Sequence, residues 1–268
     1  MIPGTPGDDL IDLGDRSLRV RRLAPQRSDG LERTVLVFLH EGLGCIEMWR
    51  DFPQRLCDAT SCAGLVYDRT GYGRSSPWPR DPGVRYMEIE ADEVLPRLLA
   101  ATGIADCVLV GHSDGGTIAL NYAASDPEPL RAVVTLAAHA INEPICVQSI
   151  VKARAAFAAG ELRQRLLKYH GENVDRAFHL WSDAWVAPGF EPMNAQGRLP
   201  GVAVPVQAIQ GEDDEYGSER QLGIIAGKVG GYCETRLVPD CGHSPHLQQP
   251  NYVLSEIARF VSPLALAG

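Results

Sequence analysis

The sequence predicts an α/β fold: a mostly parallel central sheet flanked by helices, with one helical insertion. Three observations carry this reading. Short apolar runs, of the kind found in strands covered on both faces, recur at 34–39, 63–67, 107–110, 132–136 and 204–209. Between them lie stretches whose apolar residues repeat at helical spacing, and this alternation marks a parallel sheet. The pattern lapses once, over 141–202, where no strand-like run occurs. A chain of 268 residues, 45% hydrophobic, suffices for one large domain with a full core.

Taken in order, residues 10–23 read as two short strands around Gly14 and Asp15. The run Thr34 to Leu39 stops at His40-Glu41-Gly42-Leu43-Gly44, after which Met48, Trp49, Phe52 and Leu56 share one helical face. The strand at 63–67 leads into a turn-rich loop, Asp68 to Pro77. Met87, Ala91, Val94, Leu95 and Leu98 mark a helix that Pro96 should kink or delay. A strand from Cys107 to Val110 and a helix from Thr117 to Ala124 flank a glycine-rich turn, and Ala132 to Leu136 is the next strand.

The block 141–202 holds an Ala- and Arg-rich helical stretch (151–168) and the aromatics Tyr169, Phe178, Trp181, Trp185 and Phe190. It must bury or bind something apolar. A strand at 204–209, a helix near 218–228, a strand at 233–238 and a helix at 250–262, with Val253, Leu254, Ile257 and Phe260 on one face, complete the pattern. The expected organisation is a core of residues 1–140 and 203–268, with a helical cap, 141–202, inserted between core strands.

A net charge of −9 and the lack of any Lys/Arg stripe argue against nucleic-acid binding. Residues 1–9 lack the features of a signal peptide, and no apolar stretch approaches the ~18–20 residues that span a bilayer. The odd count of seven cysteines in a large chain points to reduced thiols and a cytoplasmic location. Cys57 and Cys62 have no partner pair at zinc spacing, so no metal or organic cofactor is implied.

The chemistry concentrates at Gly111-His112-Ser113-Asp114-Gly115, a Gly-X-Ser-X-Gly between strand and helix. Such a turn lifts the serine hydroxyl toward a base and sets backbone N–H groups beneath a developing anion. Serine needs a base within reach and an acid that orients the base. The chain offers both in the order acid, then histidine. Gln210-Gly211-Glu212-Asp213-Asp214-Glu215 follows the strand at 204–209, leaving Asp213 and Asp214 both open as the acid. His243 follows Gly242 after the last strand and is the expected base, with His246 as the alternative. The oxyanion donors should be the N–H of Asp114 and one from the 40–44 loop, Gly42 or else Leu43. His40 should brace that loop.

With these pieces in order, the chain resembles the α/β-hydrolase fold family, in particular its capped bacterial serine hydrolases. The matching segments are His40 to Gly44, Asp68 to Ser75, Gly111 to Gly116, Gly211 to Asp214 and Gly242 to Ser244. The resemblance selects Asp214 as the acid, at the end of a Gly-X-X-Asp turn. It implies a carboxylesterase in which Ser113, Asp214 and His243 are catalytic and Gly42 and Asp114 form the oxyanion hole. Leu43, Phe178, Trp181 and Trp185 are expected to contact a small-molecule ester substrate.

Two departures stand out. Glu41 follows His40 where the family has glycine, and should point away into a salt bridge or helix cap. Asp114 stands where relatives carry Met, Leu or Gln, and its side chain is a candidate contact to the cap. The same triad would serve carbon–carbon bond hydrolysis of a dienone acid, with Arg154, Arg163, Arg165 or Arg176 clamping the substrate carboxylate, or lactone hydrolysis. A non-catalytic receptor of the same fold is the alternative of another class. The apolar cap permits a homodimer without requiring one.

Overall fold

The computed structural model describes residues 7–26, 34–192 and 195–265. The expectation for residues 1–6, at the chain start, therefore lies outside the described residues. The sheet has strands β1 (Asp8–Asp12), β2 (Ser17–Leu23), β3 (Val35–Leu39), β4 (Gly64–Tyr67), β5 (Cys107–His112), β6 (Leu130–Leu136), β7 (Val206–Gly211) and β8 (Cys233–Val238). They lie in the order β1-β2-β4-β3-β5-β6-β7-β8. β1 and β2 pair antiparallel at one edge, and β4 through β8 run parallel.

The helices are α1 (Phe52–Thr60), α2 (Tyr86–Ile89), α3 (Leu95–Thr102), α4 (Asp114–Ala123), α5 (Pro144–Ala158), α6 (Glu161–His170), α7 (Val174–Val186), α8 (Ala195–Arg198), α9 (Arg220–Lys228), α10 (Pro245–Gln248) and α11 (Pro250–Leu264). Successive strand residues face opposite sides, so the continuous apolar runs feed two cores. Leu36, Phe38, Val108, Val110 and Val134 pack with Phe52 and Leu56 of α1 and Val253 and Ile257 of α11. Val37, Leu39, Leu109 and Val133 pack with Leu95, Ile118 and Ile225 and with the helices between β6 and β7.

One local reading changes and one holds. The helical face expected from Met48 to Leu56 is broken: a 3₁₀ turn, Ile46–Trp49, ends at Arg50 with φ 54°, and α1 starts afresh. Trp49, Phe52 and Leu56 are buried, whereas Met48 is only half-buried. Pro96 acts as expected: it stands in the first turn of α3, which starts at Leu95. A π-helical turn, Glu90–Val94, joins α2 to α3, and this wider turn accommodates the missing N–H. Between β6 and β7 the chain passes through α5, α6, α7 and α8 and enters no strand among its described residues.

Candidate active site

The parallel strands β5, β7 and β8 end on one edge of the sheet, and the loops leaving them carry Ser113, Asp214 and His243. Ser113 adopts φ 51° and ψ −118°, a strained conformation for a residue with a side chain. The glycines around it are required by close approach. A Cβ on Gly111 would lie 2.3 Å from the Gly115 carbonyl oxygen, and one on Gly115 would lie 2.0 Å from that of Leu39. The turn can therefore sit against β3, with Ser113 at its tip.

Ser113 Oγ lies 2.9 Å from His243 Nε2. Both oxygens of Asp214 lie 2.9 Å from His243 Nδ1. Asp214 is buried and also accepts from the N–H of Tyr216 at 2.8 Å and from Gln210 Nε2 at 2.5 Å. With Nδ1–H given to Asp214, Nε2 is left to accept the serine proton. Burial disfavours the His243 imidazolium, but the Asp214 carboxylate outweighs it and raises the His243 pKa above its usual value. Burial likewise opposes ionisation of Asp214, and the facing His243 more than compensates, lowering its pKa. Asp213 is exposed, and its N–H bonds to the Cys241 carbonyl. His246 is buried against Trp49 and His112, away from Ser113, and burial drives its pKa well down.

Ser113 and His243 face a cavity of about 100 Å³ lined by Glu41, Gly42, Leu43, His139, Cys146, Ile150, Trp181, Trp185 and Tyr216. A Cβ on Gly42 would come within 2.3 Å of the Trp181 ring, so only glycine lets α7 approach this loop. Among the described residues, neither Gly42 nor Leu43 gives its N–H to another protein group. The Asp114 N–H, at the first position of α4, has no intrahelical acceptor. His40 braces the loop as expected: Nε2 accepts from the Arg69 N–H at 2.9 Å, which leaves Nδ1–H to donate to the Glu41 carbonyl at 2.7 Å.

Three sequence expectations need correction or refinement. Phe178 does not line the cavity. It is buried and stacked on Phe157 with ring centroids 3.7 Å apart, so it packs the helices together. Glu41 finds the salt-bridge partner expected of it, with Oε2 3.4 Å from His112 Nδ1, although the residue still belongs to the cavity lining. Burial opposes the Glu41 charge, but the bond to His112 overrides it and holds the carboxyl far below the usual range. The four arginines offered as a carboxylate clamp are elsewhere: Arg154 pairs with Asp183, Arg163 with Asp175, and none of the four lines the cavity.

The Asp114 carboxylate does reach the inserted helices. It accepts from Trp185 Nε1 at 3.2 Å and from Tyr86 Oη at 2.5 Å. Sequence reasoning missed several supporting groups. His112 gives Nε2–H to the His243 carbonyl at 2.7 Å, fixing the His243 loop, and its place inside Gly-X-Ser-X-Gly was the signal available. Tyr216 packs its ring 4.6 Å from that of His243. His139 lies against Trp185, and burial lowers its pKa to about 4, so it is neutral near pH 7.

The alpha/beta hydrolase fold family model matches residues 34–165. Over 105 residues the chain is 32% identical to a zebrafish (Danio rerio) protein named sn-1-specific diacylglycerol lipase ABHD11, covering 39% of this chain and 32% of that one. Over 127 residues it is 38% identical to the putative carbamate hydrolase RutD of Pseudomonas savastanoi pv. phaseolicola, covering 46% of this chain and 44% of that one. The chain thus matches less than half the length of either relative. Among solved structures, the proline iminopeptidase of Mycobacterium smegmatis superposes with a TM-score of 0.71 at 19% identity, covering 97% of this chain and 99% of that one.

Proposed function

Given that the chain belongs to the alpha/beta hydrolase fold family, we propose that it is a serine hydrolase cleaving carboxylic esters of small acyl groups through an acyl-enzyme. The observation that carries this reading is the unbroken chain from Ser113 Oγ to His243 Nε2 and from His243 Nδ1 to Asp214, each step 2.9 Å, with Ser113 and His243 on the wall of a small cavity.

In this mechanism Ser113 Oγ attacks the ester carbonyl as His243 takes its proton. Asp214 stabilises the imidazolium, and the N–H groups of Asp114 and Gly42 bind the oxyanion. His243 then protonates the departing alcohol, and water repeats the sequence to release the acid. The residues between β6 and β7 act as a cap that sets acyl size through Trp181 and Trp185. A cavity of about 100 Å³ is below the ~300–1,000 Å³ of sites for larger ligands, and below the ~150 Å³ that admits benzene. The space beside Ser113 therefore favours a short acyl group.

A second reading, hydrolysis of a small carbamate, has two supports. One is the likeness to proteins named putative carbamate hydrolase. The other is His139 on the cavity wall, a neutral imidazole whose Nδ1 is buried and has no protein partner among the described residues. The dienone-acid reading loses support because its arginine clamp is absent from the cavity.

A p-nitrophenyl ester series from acetate to long acyl chains, run on wild type and Ser113→Ala, tests the proposal. Turnover of the shortest esters, lost in the variant, is expected. A folded wild type inactive on every ester, or a Ser113→Ala variant as active as wild type, would overturn it.

A further inference from the structure

Arg69 lies two residues past the end of β4 and is fully buried, yet it does not line the cavity. Its Nη2 donates to the Glu41 carbonyl at 2.9 Å. His40 Nδ1 and the Gly44 N–H, at 2.7 and 3.1 Å, converge on the same oxygen. That oxygen belongs to the peptide unit whose N–H is that of Gly42. In a trans peptide the C=O and N–H point in opposite directions, so fixing the carbonyl inward aims the Gly42 N–H outward. Donors on the carbonyl also polarise the peptide and strengthen its N–H as a donor. The same Nη2 lies 3.6 Å from Asp114 Oδ2, the side chain of the other oxyanion residue.

As a purely structural ion pair Arg69 is poorly matched. Its Nε and Nη1 have no hydrogen-bond partner among the described residues, and beyond the Glu41 carbonyl and Asp114 it has the face of the Tyr72 ring, 4.5 Å from its guanidinium. A buried cation with so few partners is costly unless it serves the site.

We propose that Arg69 is a positioning residue for the oxyanion hole: it orients and polarises the Glu41–Gly42 peptide from behind and anchors Asp114 beside it. This rests on the serine-hydrolase reading above. The residue acts through the peptide and not on the substrate, so its removal should weaken binding of the charged tetrahedral state and leave binding of neutral groups alone.

The test compares wild type, Arg69→Met and Arg69→Lys in p-nitrophenyl acetate hydrolysis, in inhibition by an aryl trifluoromethyl ketone, which forms a tetrahedral adduct with serine, and in inhibition by 4-nitrophenol, the leaving alcohol. Arg69→Met should lower kcat/KM about 10- to 100-fold, mostly in kcat. Ketone affinity should fall by the same factor, with nitrophenol affinity unchanged. Arg69→Lys should recover part of both losses, since an ammonium can also donate to the Glu41 carbonyl. Equal loss of ketone and nitrophenol affinity, or no loss of kcat/KM, would overturn the proposal. If Arg69→Met does not fold, the same comparison on Arg69→Lys decides it. Full activity in Ser113→Ala would instead refute the serine mechanism itself, whatever Arg69 does.

Discussion

The strand-end loops and the helices between β6 and β7 meet at one cavity, but they are held there by different forces. Ser113, Asp214 and His243 are placed by backbone geometry. Parallel register brings the strand ends together, Ser113 N–H bonds to the Leu136 carbonyl, and Asp214 is gripped by the N–H groups of its own turn. The helices reach the cavity through side chains. Trp185 bonds to Asp114, and Trp181 rests over Gly42. His170, at the end of α6, accepts from the Gly73 N–H at 2.9 Å and donates to the Leu43 carbonyl at 3.0 Å. Asn173 adds a bond to the Ser75 carbonyl at 2.9 Å. In this account the sheet fixes the chemistry, and the helices fix what can reach it.

The contrast breaks most sharply at Asp214. Asp214→Asn preserves shape but presents the wrong hydrogen-bond pattern to His243, and kcat should fall about 10⁴-fold. In wild type, kcat/KM should decline as pH drops through the His243 pKa, which the facing Asp214 carboxylate holds above the ordinary histidine value. A pH–rate profile checks both statements, and an acid limb unchanged in Asp214→Asn would contradict them.

Two aromatics on α7 separate packing from specificity. Phe178→Ala removes a buried stacked ring and should cost about 3–5 kcal/mol of stability, read by urea denaturation, with acyl preference unaltered in whatever folds. Trp181→Ala should instead shift the preferred ester toward longer acyl chains, by about tenfold in relative kcat/KM. If both variants changed acyl preference alike, the division between packing and cavity lining would be wrong.

The smallest effect concerns acid stability. Burial lowers the pKa of His40, His139, His170 and His246. An unfolded chain takes up protons at these sites from about pH 6.5 downward, whereas the folded protein resists until lower pH. The unfolded state then binds more protons, so stability falls on acidification below about 6.5, continuing toward the His139 value of about 4. His243 has the opposite sign: its raised pKa stabilises the fold at low pH, and that contribution is lost as pH rises through it. Replacing His170 by Gln keeps a donor and an acceptor for Leu43 and Gly73 without a titrating ring. The variant should lose less melting temperature between pH 6.5 and 5 than wild type does, and an identical loss would exclude His170 from the effect.

The same division explains what could be read from the chain. Strands such as 34–39 and 107–110 announce themselves because both faces are buried, and the Ser113 turn announces itself because Gly111 and Gly115 have no room for a Cβ. His243 could be chosen over His246 from its place after a strand and a glycine. The partners of Glu41, the His112 bond to the His243 loop and the Arg69 contact with the Glu41 carbonyl join residues far apart in sequence, and no local periodicity encodes them. Phe178 and Trp181 lie three residues apart on one helix, too close in spacing for pattern alone to tell the packed ring from the cavity wall.

The most direct test of the central claim is to quench a reaction with p-nitrophenyl acetate in acid and map the protein by mass spectrometry. The account predicts one added acetyl group, located on Ser113 and absent from Ser113→Ala. Turnover with no acyl group on Ser113 would contradict it.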